Sequence, residues 1–277
     1  MRLPDNHTHR LIDCLTRSRF SFALYRLPWT DDCYFILQTS EEVKTLSDIA
    51  ELNGKQGFVI APFQQTEEHP IVLIRPDVTA YDWAEITKAI TSLKYADAIL
   101  TCKPSASIPV TALNEEERYS RYFTAFNRFM EPLKAKKVKK LVLSRPTFCP
   151  INEEFSPLET FIKACNAYPR MMIYLCHTPV SGTWLGSTPE ILLSGHAMNW
   201  KTVALAGTMP IENGVEPTDW SPKNQEEQSI VAEYVRKIVK KHGRKMMEKG
   251  PYTARAGQLV HLKTDFLFQL KETGYLG

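Results

Sequence analysis

Three charged side chains sit where the surrounding pattern is apolar, and such placements are where chemistry is often found. Glu227 lies three and four residues before Ile230 and Val231, on the helix face those residues define. A carboxylate facing a core must be paired, neutral or holding a cation. Glu227 is therefore either a metal ligand or half of an ordinary helix pair with Lys223, four residues earlier. Glu190 closes Gly186-Ser-Thr-Pro-Glu190 and opens the apolar run Ile191-Leu-Leu193. It reads as a placed general acid or as a solvated strand end. Lys140 is the last charge before Leu141-Val-Leu143; a half-buried lysine can give up its proton and act as a base, or simply extend its ammonium to water.

Other chemistries find less support. The cysteines are scattered without a Cys-x-x-Cys pair, and Cys176 and His177 are adjacent, so they point to opposite faces of a strand. Neither a zinc site nor a disulfide framework is expected. His7 and His9 belong to a polar leader. No glycine-rich phosphate loop and no Gly-x-Ser-x-Gly elbow occurs, which argues against nucleotide binding and serine-hydrolase chemistry.

The elements that must position these residues are legible in part. Phe20–Tyr25, Cys33–Leu37, Gly57–Ala61 and Ile71–Ile74 are short, rich in aromatic and branched residues and bounded by turn formers, as strands are. A loop with Pro104 and Pro109 precedes a helix capped by Asn114, with Glu117 three residues on. Its apolar face runs through Tyr119, Phe123, Phe126, Phe129, Met130 and Leu133. A lysine cluster from Lys134 to Lys139 makes a solvated turn before an expected strand at Leu141–Arg145. Strands are expected again at Met171–Cys176, Glu190–Leu193 and Gln258–Leu262. Between the last two, Ser221 caps a helix, with Pro222 in its first position and a stripe through Ile230, Val231, Tyr234, Val235, Ile238 and Val239. Strands and helices mix without strict alternation, so the expected class is α+β.

Composition sets the outer bounds. At 277 residues the chain can bury a large core without disulfide or metal staples. Lys plus Arg exceed Asp plus Glu by 34 to 31, too small an excess for a nucleic-acid binder. Even the Lys134–Lys140 cluster lacks the interleaved aromatics of a single-strand groove. No apolar run approaches the roughly 18 residues of a membrane span, and the first ten residues lack the apolar stretch of a secretory signal. A cytoplasmic protein with no membrane partner is expected.

Read in order, the motifs resemble the chorismate-utilising enzymes, and among them the isochorismate-forming members most. The matching stretches are Lys140-Leu-Val-Leu-Ser-Arg145, Gly186-Ser-Thr-Pro-Glu190, Leu205-Ala-Gly-Thr208, Lys223-Asn-Gln-Glu-Glu227 and Val260-His-Leu-Lys-Thr264. They divide the chain into a β-rich half, 1–113, and a chorismate-binding core, 114–277. The resemblance implies two large antiparallel sheets packed face to face with helices outside. It implies Mg²⁺-dependent isomerisation of chorismate, with Lys140 as the base that activates a water and Glu190 as the acid at the departing hydroxyl. Glu227 would ligate Mg²⁺, and Ala206, Gly207, Thr208, His261 and Thr264 would line the substrate pocket. A single carboxylate cannot complete a Mg²⁺ site, which also takes water and substrate oxygens.

Within the family, lysine at position 140 resembles the members that use water, and Ala206 stands where aminodeoxychorismate synthases carry a nucleophilic lysine. Isochorismate synthase is the leading implication, and salicylate synthase, which goes on to eliminate pyruvate, stays open beside it. Gln228 departs from the family's usual histidine, and Asn224 from its usual acid. The family also continues beyond the His-Leu-x-Thr strand, with a second metal-binding Glu and a carboxylate-holding turn. A chain ending at Gly277 is accordingly expected to be a truncated form. It would be a monomer prone to pairing through exposed edges, or a chorismate-binding remnant without turnover.

Overall fold

The computed structural model describes residues 3–93, 114–152 and 154–271; the loop with Pro104 and Pro109 lies outside these. The chain begins with helix α1 (Asn6–Leu15), then strands β1 (Ser21–Arg26), β2 (Tyr34–Gln38), β3 (Lys44–Leu46), β4 (Phe58–Ile60), β5 (Ile71–Ile74) and β6 (Val78–Ala80). Helices α2 (Trp83–Thr91), α3 (Glu115–Lys134) and α4 (Pro157–Ala167) follow, then β7 (Met172–Thr178), β8 (Gly182–Thr188), β9 (Ser194–His196) and β10 (Asn199–Pro210). Helix α5 (Pro222–His242) and the long hairpin β11 (Gly243–Ala256) and β12 (Leu259–Leu270) complete the described chain. All strand pairings are antiparallel, in three sheets ordered β6-β2-β1-β7-β8, β11-β12-β10-β9 and β3-β5-β4. The class is α+β, as expected, and the five-stranded sheet takes strands from both sides of residue 113.

Side-chain alternation builds the main core. On β1 and β7, Phe22, Leu24, Ile173 and Leu175 face α1, α2 and α4, where they meet Leu11, Leu15, Ile86, Ile90, Leu158 and Phe161. Ala23 and Cys176, each next to one of these in the strand, face the other way and pack against Ile74, Phe58 and Ile60 of the three-stranded sheet. Both faces of β1 are thus covered, which is why it reads as a nearly unbroken buried run. Full burial of each large apolar side chain contributes about 1.5–3 kcal/mol. It also pushes the Cys33 and Cys176 thiols up to about 12, so both behave as core hydrophobes.

A buried charge sits at one end of this core. Arg26 is 2% exposed and donates to the carbonyls of Leu27, Tyr168 and Pro169 at 2.7–3.0 Å. Tyr168 is the C-terminal cap of α4, so the guanidinium meets the carbonyl end of a helix, where a cation is favoured.

Four expected elements differ. Leu141–Arg145 forms no strand: no described strand pairs with it, and Val142 is 77% exposed. A strand exists only through its partner's hydrogen bonds. Glu190–Leu193 is also irregular, because Pro189 ends β8 and Leu192 is 93% exposed. Helix α3 forms as its cap predicts, with Glu117 N donating to Asn114 Oδ1 at 2.8 Å, yet no residue of it is buried and Tyr119 and Phe123 of its apolar face are exposed. The stripe on α5 is also turned: Val231, Ala232, Val235 and Val239 face the four-stranded sheet, while Tyr234 and Ile238 face solvent.

Helix α5 and the hairpin are joined by a bidentate ion pair, Arg236 to Glu248, with both contacts at 2.7 Å. The hydrogen bonds from Arg236 hold the Glu248 carboxyl below the usual glutamate range. Its stabilisation is present above the unfolded value of about 4.3 and is lost as pH falls through the lower folded value. Glu248→Gln is therefore expected to cost about 0.5–1 kcal/mol at neutral pH, discounted for partial exposure. Denaturant melts at pH 7 and pH 3 check this: the difference from the parent chain should close at the acidic end.

Candidate functional site

The site region is built on the pairing of β10 with β12. Ala204 opposes Thr264, Ala206 opposes Leu262 and Thr208 opposes His261, so one residue, Gly207, bulges out. Gly207 has φ +71°, a left-handed conformation that glycine adopts freely. A Cβ added there would lie 3.1 Å from Asn224 O and 3.2 Å from Asn224 Cβ, in the first turn of α5. The bulge therefore lets the helix approach the sheet. That turn begins as its sequence dictates, with Pro222 in the first position and Asn224 N donating to the Ser221 hydroxyl at 3.3 Å.

One amide then sets the helix against both strands. Gln228 is 2% exposed, and its Nε2 donates to Ala204 O at 3.1 Å and Thr264 Oγ1 at 3.0 Å. Its Oε1 is buried without a partner. Thr264 is 1% exposed, with Leu262 and Phe266 on the face that α5 covers. Ala206 is buried as well.

The opposite face of the hairpin is polar. His261 Nδ1 lies 3.1 Å from Thr208 Oγ1 and 3.2 Å from Gly207 O. A carbonyl only accepts, so Nδ1 carries a proton, and in the neutral form of such a ring Nε2 is the acceptor. Two residues along, Lys263 Nζ meets Asp265 Oδ1 at 2.9 Å, and the Tyr252 hydroxyl donates to Asp265 Oδ2. Partial burial pushes the Asp265 carboxyl up, but the hydrogen bonds from Tyr252 and Lys263 outweigh it, leaving it below the usual range. Burial likewise disfavours the Lys263 ammonium, and the bond to Asp265 more than restores it. Sequence reasoning missed this trio; the Lys-x-Asp alternation on a strand was its one signal.

Glu227, one residue before the buried amide, faces away from the core. It is half-exposed, and its partner is Lys140 rather than Lys223: Nζ to Oε1 is 2.9 Å across 87 residues of chain. The structure thus brings Lys140 to Glu227, and Gly207 and Thr208 to His261. Glu190 is bonded to neither group. Its backbone N–H donates to Thr188 Oγ1 at 3.2 Å, and its exposed carboxylate forms no hydrogen bond or ion pair with Lys140, Glu227 or His261.

Among the described residues no group of three or more His, Cys, Asp or Glu side chains converges to hold a metal. Glu227 offers one half-exposed carboxylate, which fits a hard cation that keeps its waters and takes substrate oxygens. It does not fit one enclosed by protein ligands. No described helix is long and apolar enough to cross a membrane.

A model of the chorismate binding enzyme family matches residues 39–275. No curated protein matches the chain in sequence. Solved structures that resemble it include two isochorismate synthases. One is described as a 2,3-dihydroxybenzoate-specific isochorismate synthase, DhbC, from Bacillus anthracis, with a TM-score of 0.61 and 14% identity over 97% of this chain and 72% of that one. The other is MenF, the menaquinone-specific isochorismate synthase from Escherichia coli, with a TM-score of 0.56 and 14% identity over 98% and 69%. At this identity the likeness is one of fold.

Gly207→Ala tests the bulge. A side chain there is strained by its φ and crowds Asn224, so a loss of about 1–3 kcal/mol is expected. Thermal unfolding should show a midpoint lowered by several degrees.

Proposed function

Because this chain belongs to the chorismate binding enzyme family, we propose that it is an isochorismate synthase. The reaction is the isomerisation of chorismate to isochorismate in the cytoplasm, on the route to menaquinone or to a siderophore. The observation that carries this reading is the Lys140–Glu227 contact at 2.9 Å. It joins two motifs far apart in the chain, the water-activating lysine and the metal-binding carboxylate of the resemblance.

Lys140 Nζ takes a proton from a water as that water's oxygen bonds to C2 of the ring. Both ring double bonds shift, to C1–C6 and C4–C5, the C4–O bond breaks, and Glu190 protonates the departing hydroxyl, which leaves as water. Lys140 must be neutral to act, so its contact with Glu227 has to loosen on substrate binding. Mg²⁺, when bound, supplies the positive charge that anchors the ring carboxylate and balances Glu227 in place of the lysine. His261, with Nε2 free to accept, and Thr208 orient a substrate hydroxyl from the polar face of the sheet. Glu190 forms no hydrogen bond or ion pair with Lys140, Glu227 or His261, which leaves its exposed carboxylate available to the departing hydroxyl.

Chromatographic product analysis of the 277-residue chain with chorismate and Mg²⁺ tests the proposal. Isochorismate is the expected product; salicylate with pyruvate would move the assignment to salicylate synthase, and unchanged chorismate would favour a binding protein without turnover. Lys140→Ala and Glu190→Gln are each expected to lower kcat at least 10³-fold, more than the usual contribution of one acid or base at its low end. Glu227→Ala is expected to remove Mg²⁺-dependent turnover. Near-normal rates in any of the three would overturn the role assigned to that residue.

A further inference from the structure

Helix α3 and the chain just after Lys140 line an open cavity of about 510 Å³, within the range of small-molecule sites. None of the residues given catalytic, metal or substrate roles above lines it. Arg118, Arg121 and Arg145 do, and Glu115 is the one acidic side chain in its lining. Among the described residues no ion pair neutralises any of the three guanidiniums. Arg118 Nε is buried with no hydrogen-bond partner, and the Arg145 guanidinium lies 5.6 Å over the ring of Tyr122.

These facts point to a ligand. Arg118 and Arg121 are three residues apart on one helix face, where like charges repel, and Arg145 adds a third positive charge from the facing loop. An anion in the cavity relieves the repulsion among the three guanidiniums. Three arginines against one glutamate leave a formal charge of +2, which matches a dianion. Guanidiniums bind carboxylate and phosphate oxygens in pairs, and the rings of Tyr122 and Phe148 offer flat apolar walls.

We propose that this cavity binds a compact dianion bearing a flat, unsaturated ring. Its two negative charges come from two carboxylates or from one phosphate monoester. The proposal is independent of the chorismate reading, since it needs neither turnover nor Mg²⁺.

Calorimetric titration of the full chain with phthalate, phenyl phosphate and benzoate tests it. At least one dianion is expected to bind ten-fold or more tightly than benzoate. Tighter phthalate assigns the dicarboxylate source, and tighter phenyl phosphate the phosphate source. Arg145→Gln and Arg118→Gln should each weaken the dianion ten-fold or more, and Arg145→Lys should weaken it less than Arg145→Gln. Arg145 is exposed, so its variants should melt with the parent chain and separate lost binding from lost folding. Benzoate binding as tightly as both dianions, no dianion binding, or unchanged affinity in Arg145→Gln would each overturn the proposal.

Discussion

Everything assigned to the four-stranded sheet depends on how closely α5 lies against it, and that distance is set at two points. Gly207 gives up its side chain so that the first helical turn can approach, and Gln228 reaches down to hydrogen-bond two strands. A buried amide normally satisfies both of its ends, and here the oxygen stays unmatched, at a cost of about 1–3 kcal/mol. The fold carries that cost because an apolar residue could not fix rotation and height together. Shift the helix by one residue and Glu227 would turn about 100° away from Lys140.

The result is a division of labour between the two faces of β12. Even-numbered positions from Val260 to Leu270 are buried, and those from Val260 to Phe268 face the helix or its approach. Odd-numbered positions present His261, Lys263 and Asp265 on the polar side. Thr264 and His261 belong to the same short motif yet serve different faces. Strand alternation demands this, and it separates a residue that holds the scaffold from one left on the polar face.

Much of this was legible in the sequence where a local rule decided the outcome. The caps at Asn114 and Ser221, the proline at 222 and the β-rich runs of the first eighty residues all form as their chemistry dictates. What could not be read depends on partners distant in the chain. The 141–145 run is as apolar as any strand but finds no neighbour among the described residues, whereas β11 forms despite Gly250-Pro251 because register shifts on an edge strand absorb them. The Lys140–Glu227 contact was invisible for the same reason: periodicity placed Glu227 on a helix and offered Lys223, a local partner, for a tie that is made across 87 residues. Gln228 drew notice only as a departure from a family pattern, though its buried contacts organise the sheet.

The order β6-β2-β1-β7-β8 sets a timetable for biosynthesis. Strand β1 lies at the centre of its sheet, but its second neighbour, β7, begins about 150 residues later. At roughly 5–20 residues per second, a ribosome leaves one edge of β1 open for about 7–30 s. During that interval the emerging chain carries a nearly continuous apolar strand with unsatisfied amides. Of all segments described, this is the one a nascent-chain chaperone has most reason to shield.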